Sequence, residues 1–312
     1  MNIEILAQNL ELLVGQDQAK HLLKQCLIQG SRNAYLLVGP PGVGKGCLAR
    51  IIAASFHDET GVTKIHPDIL VFEDILRKNA GEGEENRWKA SVDDFIRFVY
   101  LSPVKSRVKV GIIEDIDRFS PGALNALLKT LEEPPLDAIL ILTAQETAHI
   151  LPTILSRVQI VRLHYLMDTE IKQYLDKQGA ARAEEITWLA NGAVGRANQL
   201  ISDEKLLATA LADVDKFNFV IKKDLGLVLQ AVNLRDREEA IQLLHTWLNL
   251  SRRILLYRWM GTPLPAQLES GASQKTELEL IRLVDQLKSA LSAVEANANV
   301  RIALEATVLS VM

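Results

Sequence analysis

Apolar positions follow two rhythms along this chain, and the change between them divides it. Up to about residue 165, short apolar runs alternate with amphipathic stretches: "AYLLVG" at 34–39, "DILVF" at 68–72, "VKVGII" at 108–113 and "AILILTA" at 138–144. Runs of this length and aliphatic content predict buried strands, and their alternation with helical periods predicts an α/β fold, a parallel sheet with helices on both faces. Beyond Leu166 the strand-like runs cease, and residues 168–201 read as short helices punctuated by Gly179, Gly192 and Gly195. From about 209 onward every segment has a helical period, with Leu243, Leu244, Trp247, Leu248 and Leu255 on one stripe and a second long helix from Glu277. Between these helices "MGTPLPAQLESGASQ", 260–274, reads as a connection. A stripe of this kind serves either a private core or a subunit interface, and periodicity does not choose. Three zones follow: 1–165, 166–208 and 209–312.

Length agrees, since 312 residues exceed one ordinary core. The longest apolar run, "AILIL", is far too short to span a bilayer, so no membrane association is expected. The opening residues lack a basic stretch followed by an apolar one, which predicts a cytoplasmic protein. Cys26 and Cys47 are the only cysteines, too few for a zinc-ligand set, and are expected to be small buried residues. A net charge of −4 argues against a surface that coats nucleic acid and restricts any such contact to a local patch.

Candidate chemistry begins directly after the first strand-like run. In "GPPGVGKG", Gly39, Gly44 and Lys45 match a phosphate-binding loop, with Pro40, Pro41, Gly42 and Val43 between them. A buried strand before the loop and an amphipathic helix after it are the context in which loop N–H groups wrap phosphates. Gly42 and Gly44 permit close backbone approach, and Lys45 supplies a point charge for the β- and γ-phosphates. Gly46 stands where a Ser or Thr hydroxyl would hold Mg²⁺, so metal-assisted hydrolysis is in question while binding is not. The strand "VKVGII" delivers Glu114 and Asp115 to its C-terminal edge, where ligands of such sheets bind. ATPases of this kind place Asp before Glu. The order here is reversed, and Asp115 is one methylene short for positioning water.

With "NALLKTLEEPP" at 125–135 the sequence resembles the clamp-loader branch of AAA+ ATPases. Further matching pieces run in order: 13–46, "HPDI" at 66–69, "SVDDFIRFV" at 91–99, "LPTILSRVQIVRL" at 151–163, "NGAVGRANQL" at 191–200 and "NANVRIALE" at 297–305. The resemblance implies a AAA+ core over the first zone, a helical lid over the second and a helical collar over the third. It implies a pentameric open ring with gamma/tau-type and delta-type subunits, acting on a sliding clamp and, through the assembly, on primed DNA. It places Arg157 of "ILSRV" as an arginine finger acting in trans, with Val158 in place of the family's Cys, and Arg196 as the lid arginine that touches nucleotide. Thr143 or Gln145 takes the polar position at the end of the fourth run. Gly15 and Gln16 either line the adenine pocket or form a plain helix-start turn. Residues 47–65 lack the four-cysteine zinc module of bacterial members. ATP or ADP is the implied cofactor, at a site whose magnesium ligands are degraded. The chain is expected to use an ATPase fold mainly as a stator; a hydrolysing motor subunit is the alternative.

Overall fold

The alternating part of the chain forms, in a computed structural model, a five-stranded sheet of order β2-β3-β4-β1-β5 with all pairs parallel. The structure describes residues 3–29, 33–61, 66–78, 84–221, 236–261, 264, 268–269 and 275–311. Strands β1 (Ala34–Val38), β3 (Lys109–Ile113) and β4 (Ala138–Ala144) are buried at every position, whereas β2 (Ile69–Val71) is a half-buried edge. The fifth strand, β5 (Gln159–Arg162), was not among the apolar runs of the sequence. Only Val161 of its four residues is fully buried, so its mixed composition hides it.

Alternation along the strands splits the core in two. Tyr35, Leu37, Val110, Ile112 and Ile141 pack under α1 (Ile3–Leu10), α2 (Asp17–Gln29) and α3 (Lys45–Phe56). Leu36, Val38, Ile113, Leu140 and Leu142 face the opposite layer. That layer comprises α4 (Phe72–Lys78), α5 (Glu84–Tyr100), α6 (Pro121–Glu132) and the short α7 (Pro152–Leu155). Buried Asn9 ties α1 to the end of α3, donating to Ser55 Oγ (3.0 Å) and the Glu59 carbonyl (2.8 Å) and accepting from the Gly61 N–H (2.7 Å).

The chain divides into two compact units, Met1–Tyr174 with Gly192–Gly195, and Leu175–Asn191 with Arg196–Met312. After α8 (Asp168–Lys177) come α9 (Ala183–Ala190), α10 (Val194–Ser202), α11 (Glu204–Ile221), α12 (Arg237–Met260), α13 (Glu277–Glu295) and α14 (Val300–Val311). In the second unit α12 packs between α11 and α13. Leu243, Leu244, Trp247 and Leu255 are buried there and Leu248 is half-buried, so the stripe serves chiefly this unit's own core. Trp247 Nε1 donates to the Asp213 carbonyl at 3.0 Å. A capping box, Thr276 with Glu279, starts α13. Most of the 260–274 connection lies outside the described residues. Among the described residues no helix is long and apolar enough to cross a membrane. Cys26 is buried as expected, but Cys47 is exposed, because the first turn of α3 points it to solvent.

"HPDI" has a structural role. Asp68 is fully buried before β2, and its carboxylate accepts from the backbone N–H groups of Val104 (2.7 Å), Lys105 (2.8 Å) and Ser106 (2.9 Å) and from the Ser106 hydroxyl (2.9 Å). Buried Lys109 completes the set at 3.3 Å and also lies over the Phe98 ring, 4.2 Å from its centroid. Burial alone would raise the Asp68 pKa; the three N–H groups and the hydroxyl outweigh it and hold the carboxyl well below the usual range.

Asp68→Ala strands Lys109 and three N–H groups, and is expected to lower the unfolding free energy by about 3–5 kcal/mol. A carboxyl whose folded pKa is depressed stabilises fully above its unfolded value, about 4, and loses that contribution as pH falls toward the folded value. Urea titrations of wild type and variant should therefore differ by a constant amount near neutrality and converge in acid. A gap that stays unchanged down to about pH 3 would contradict the assignment.

Candidate functional site

The loop between β1 and α3 is shaped by close backbone contacts. The Gly39 N–H donates to the Ala144 carbonyl of β4 at 3.1 Å, and a Cβ on Gly39 would stand 2.5 Å from the Leu163 carbonyl, just past β5. Only glycine fits so near that backbone. Gly42 and Gly44 have positive φ, 75° and 106°, and Val43 is fully buried, pinning the loop to the core. The Gly44 carbonyl accepts from the Leu48 N–H at 2.8 Å, which starts α3. Gly195 joins from the far side of the loop: its N–H donates to the Gly42 carbonyl at 2.7 Å. Pro40 is half-buried and Pro41 exposed.

Lys45 is buried, and its Nζ donates to the Gly39 and Pro40 carbonyls at 2.6 and 3.0 Å. Burial pulls its pKa below the ordinary value, while the carboxylates of Asp115, Asp117 and Glu114 act in the opposite direction. The loop lysine and the acidic strand end are thus electrostatic neighbours. Asp115 takes a left-handed backbone, φ 51°, unusual for a residue other than glycine, and its N–H donates to Thr143 Oγ1 at 3.0 Å. At the end of β4, Thr143 is buried against the acidic element, and Gln145 is exposed. The Gln145 N–H donates to Asp117 Oδ2 at 2.9 Å, while Asp117 Oδ1 is buried without a hydrogen-bond partner.

Sequence reasoning missed Arg50. It lies one turn after Gly46 on α3, and its Nη1 donates to Glu114 Oε1 at 2.7 Å and to the Gly46 carbonyl at 3.1 Å. The i, i+4 spacing from Gly46 was the available signal. Magnesium does not fit this donor set: residue 46 has no side-chain oxygen to offer, and its carbonyl and Glu114 are already engaged by Arg50. Among the described residues no group of three His, Cys, Asp or Glu side chains could hold a metal ion.

Gly15 and Gln16 both have positive φ, 57° and 61°, and form the turn before α2. Gln16 exchanges two hydrogen bonds with the His164 backbone, at 2.6 and 3.0 Å. Arg157 follows α7, apart from this constellation: its Nη2 pairs with Glu132 at 2.6 Å and its Nη1 donates to the Thr153 carbonyl at 2.8 Å and Ser156 Oγ at 3.1 Å. Arg196 belongs to the second unit, where burial lowers its pKa and the Asp213 carboxylate acts to raise it.

Comparison with known proteins matches residues 15–167 to the family described as DNA polymerase III, delta subunit. The DNA polymerase III subunit gamma of Buchnera aphidicola subsp. Schizaphis graminum is 32% identical over 64% of this chain and 61% of its own length. The subunit gamma from Buchnera aphidicola subsp. Acyrthosiphon pisum is 26% identical over 78% of this chain and 74% of its own. A crystal structure of a DNA polymerase III, gamma subunit-related protein from Thermotoga maritima superposes with a TM-score of 0.57 at 19% identity, covering 93% of this chain and 98% of that one. The family match over residues 15–167 and the relatives named gamma together support a clamp-loader AAA+ family member. The chain spans 61% and 74% of the two curated relatives, and the structural likeness concerns the fold alone.

Thr143→Val removes the acceptor of the Asp115 N–H at a buried position, and is expected to cost about 1–3 kcal/mol in a urea titration. Thr143→Ser keeps the oxygen and should cost much less. A larger loss from Thr143→Ser than from Thr143→Val would show that the threonine methyl, not the hydrogen bond, holds the strand end.

Proposed function

We propose that the chain is a delta-prime-like subunit of the DNA polymerase III clamp loader, a largely non-hydrolysing stator that lends Arg157 to a neighbouring ATPase site during sliding-clamp loading. The observation that carries this reading is the state of its own site: Gly46 offers no metal ligand and Glu114 is engaged by Arg50 at 2.7 Å. With Asp115 too short to place water, the site retains the parts that hold phosphate and lacks those that cleave it. ATP or ADP is the proposed ligand, on the loop from Gly39 to Gly46, with Arg196 as the lid contact. Residues 1–165, 166–208 and 209–312 are assigned as core, lid and collar, and the collar as the part that joins gamma/tau-type and delta-type subunits in a cytoplasmic pentamer on clamp and primed DNA.

Arg157 suits a role in trans. Its side chain is 33% exposed and both arms of its fork are already used, Nη2 on Glu132 and Nη1 on the end of α7. Exchanging the Glu132 carboxylate for γ-phosphate oxygens needs little change in the arginine itself. A second reading, a hydrolysing motor subunit, draws support from the curated relatives, which are named gamma.

The two readings separate in a reconstituted complex. Arg157→Ala should leave assembly intact by gel filtration and lower hydrolysis at the adjoining site by about 10³-fold, with Arg157→Lys recovering only part. Lys45→Ala should leave complex turnover near wild type. A large loss from Lys45→Ala with none from Arg157→Ala, or steady turnover by the isolated chain that Lys45→Ala abolishes, would establish the motor instead.

A further inference from the structure

The space that a side chain at position 46 would fill is taken by charge. A Cβ on Gly46 would stand 3.0 Å from Arg50 Nη1 and 3.0 Å from Glu114 Oε1. Arg50 folds back along α3 so that this one nitrogen bridges the Gly46 carbonyl and the Glu114 carboxylate. The pair is partly shielded, with side-chain exposures of 35% and 27%. A hard divalent cation needs oxygens with lone pairs to spare, and a strand-end carboxylate bound to a guanidinium has given up its nearer oxygen. Of the neighbouring carboxylates, Asp115 sits on a left-handed backbone whose N–H is held by Thr143, and Asp117 accepts from the Gln145 N–H at Oδ2 while its Oδ1 is buried without a partner; the atoms nearest a side chain at 46 belong to Arg50 and Glu114, not to these two.

We propose that Arg50 is the fixed cation of this site. Its guanidinium stands where a divalent metal would join residue 46 to the end of β3, so that a nucleoside polyphosphate binds without metal, on Lys45, Arg50 and the loop N–H groups. The inference rests on reading the loop as a nucleotide site. Both hydrogen bonds of Arg50 leave from Nη1, and the fork keeps Nε and Nη2 for phosphate oxygens. Asp115 and Asp117, close enough to act on Lys45, oppose added negative charge and keep the affinity modest.

Titration of the full chain with N-methylanthraniloyl-ADP, in MgCl₂ or in EDTA, tests this directly. Wild type should bind with the same Kd in both, within about threefold. Arg50→Gln should weaken binding in EDTA by about tenfold or more, the loss of a charge-assisted hydrogen bond, and regain part of it in MgCl₂ because Glu114 is released. Glu114→Gln, which keeps Arg50, should bind in EDTA at least as tightly as wild type and ignore Mg²⁺, and thermal melts of both variants verify folding. Tightening of wild type by Mg²⁺ of about tenfold or more, unchanged EDTA binding in Arg50→Gln, or weakened EDTA binding in Glu114→Gln would each overturn the assignment. Absence of binding to wild type in either buffer would overturn it too, together with the nucleotide ligand, while leaving the role of Arg157 to stand or fall on complex turnover.

Discussion

Everything at the candidate site depends on the burial of β1. This strand is covered on both faces and paired on both edges, to β4 and β5, so its end cannot drift. The chain leaving it must turn at Gly39 under the Leu163 carbonyl, and the loop that follows inherits its position from that turn. The same register brings the end of β4 level with the end of β1, Ala144 against Val38, and the end of β3 level with Leu142. Loop, carboxylates and Thr143 converge because three strands stop together, which is the general reason ligands collect at the carboxyl ends of parallel sheets.

The positive charges in this unit show a common economy. Lys45 is satisfied by loop carbonyls, Arg50 by Glu114 and the Gly46 carbonyl, Lys109 by Asp68, and Arg157 by Glu132 and the end of α7. Lys109 with Asp68 is deeply buried and belongs to the fold. The other three lie near the loop or half-exposed after α7, where a stronger anion can compete for them. The structural cation is thus the one paired with a fully buried carboxylate, and the others are held by carbonyls or by partly exposed carboxylates.

Much of the fold was legible because it is written in burial. Strands β1, β3 and β4 are buried on both faces and read as uninterrupted apolar runs. β5 was not legible because an edge strand with one fully buried residue leaves no run, and Cys47 because a helix start can point a small apolar residue outward. At the site, Lys45, Gly46, Glu114 and Asp115 were visible as a pattern in sequence. Arg50 was not, since its meaning comes from a carboxylate 64 residues away in the chain. Thr143 and Gln145 could be told apart only by the side on which β4 ends. The buried role of Asp68 was likewise invisible, because its partners lie at 104–109 and are joined to it only through the pairing of β2 with β3.

The crowding around Gly46 bears on how such a site could change over generations. A hydroxyl-bearing residue placed there brings its Cβ to 3.0 Å from the ends of two flexible side chains, so the gain of a ligand oxygen arrives together with a small shift of the ion pair. Removing Arg50 first instead leaves Glu114 without its counter-charge. The positions are thus coupled, and the effect of changing two of them together need not be the sum of the single changes. Position 46, Arg50 and Glu114 therefore behave as one unit, in which the tolerance of any one residue is set by the other two.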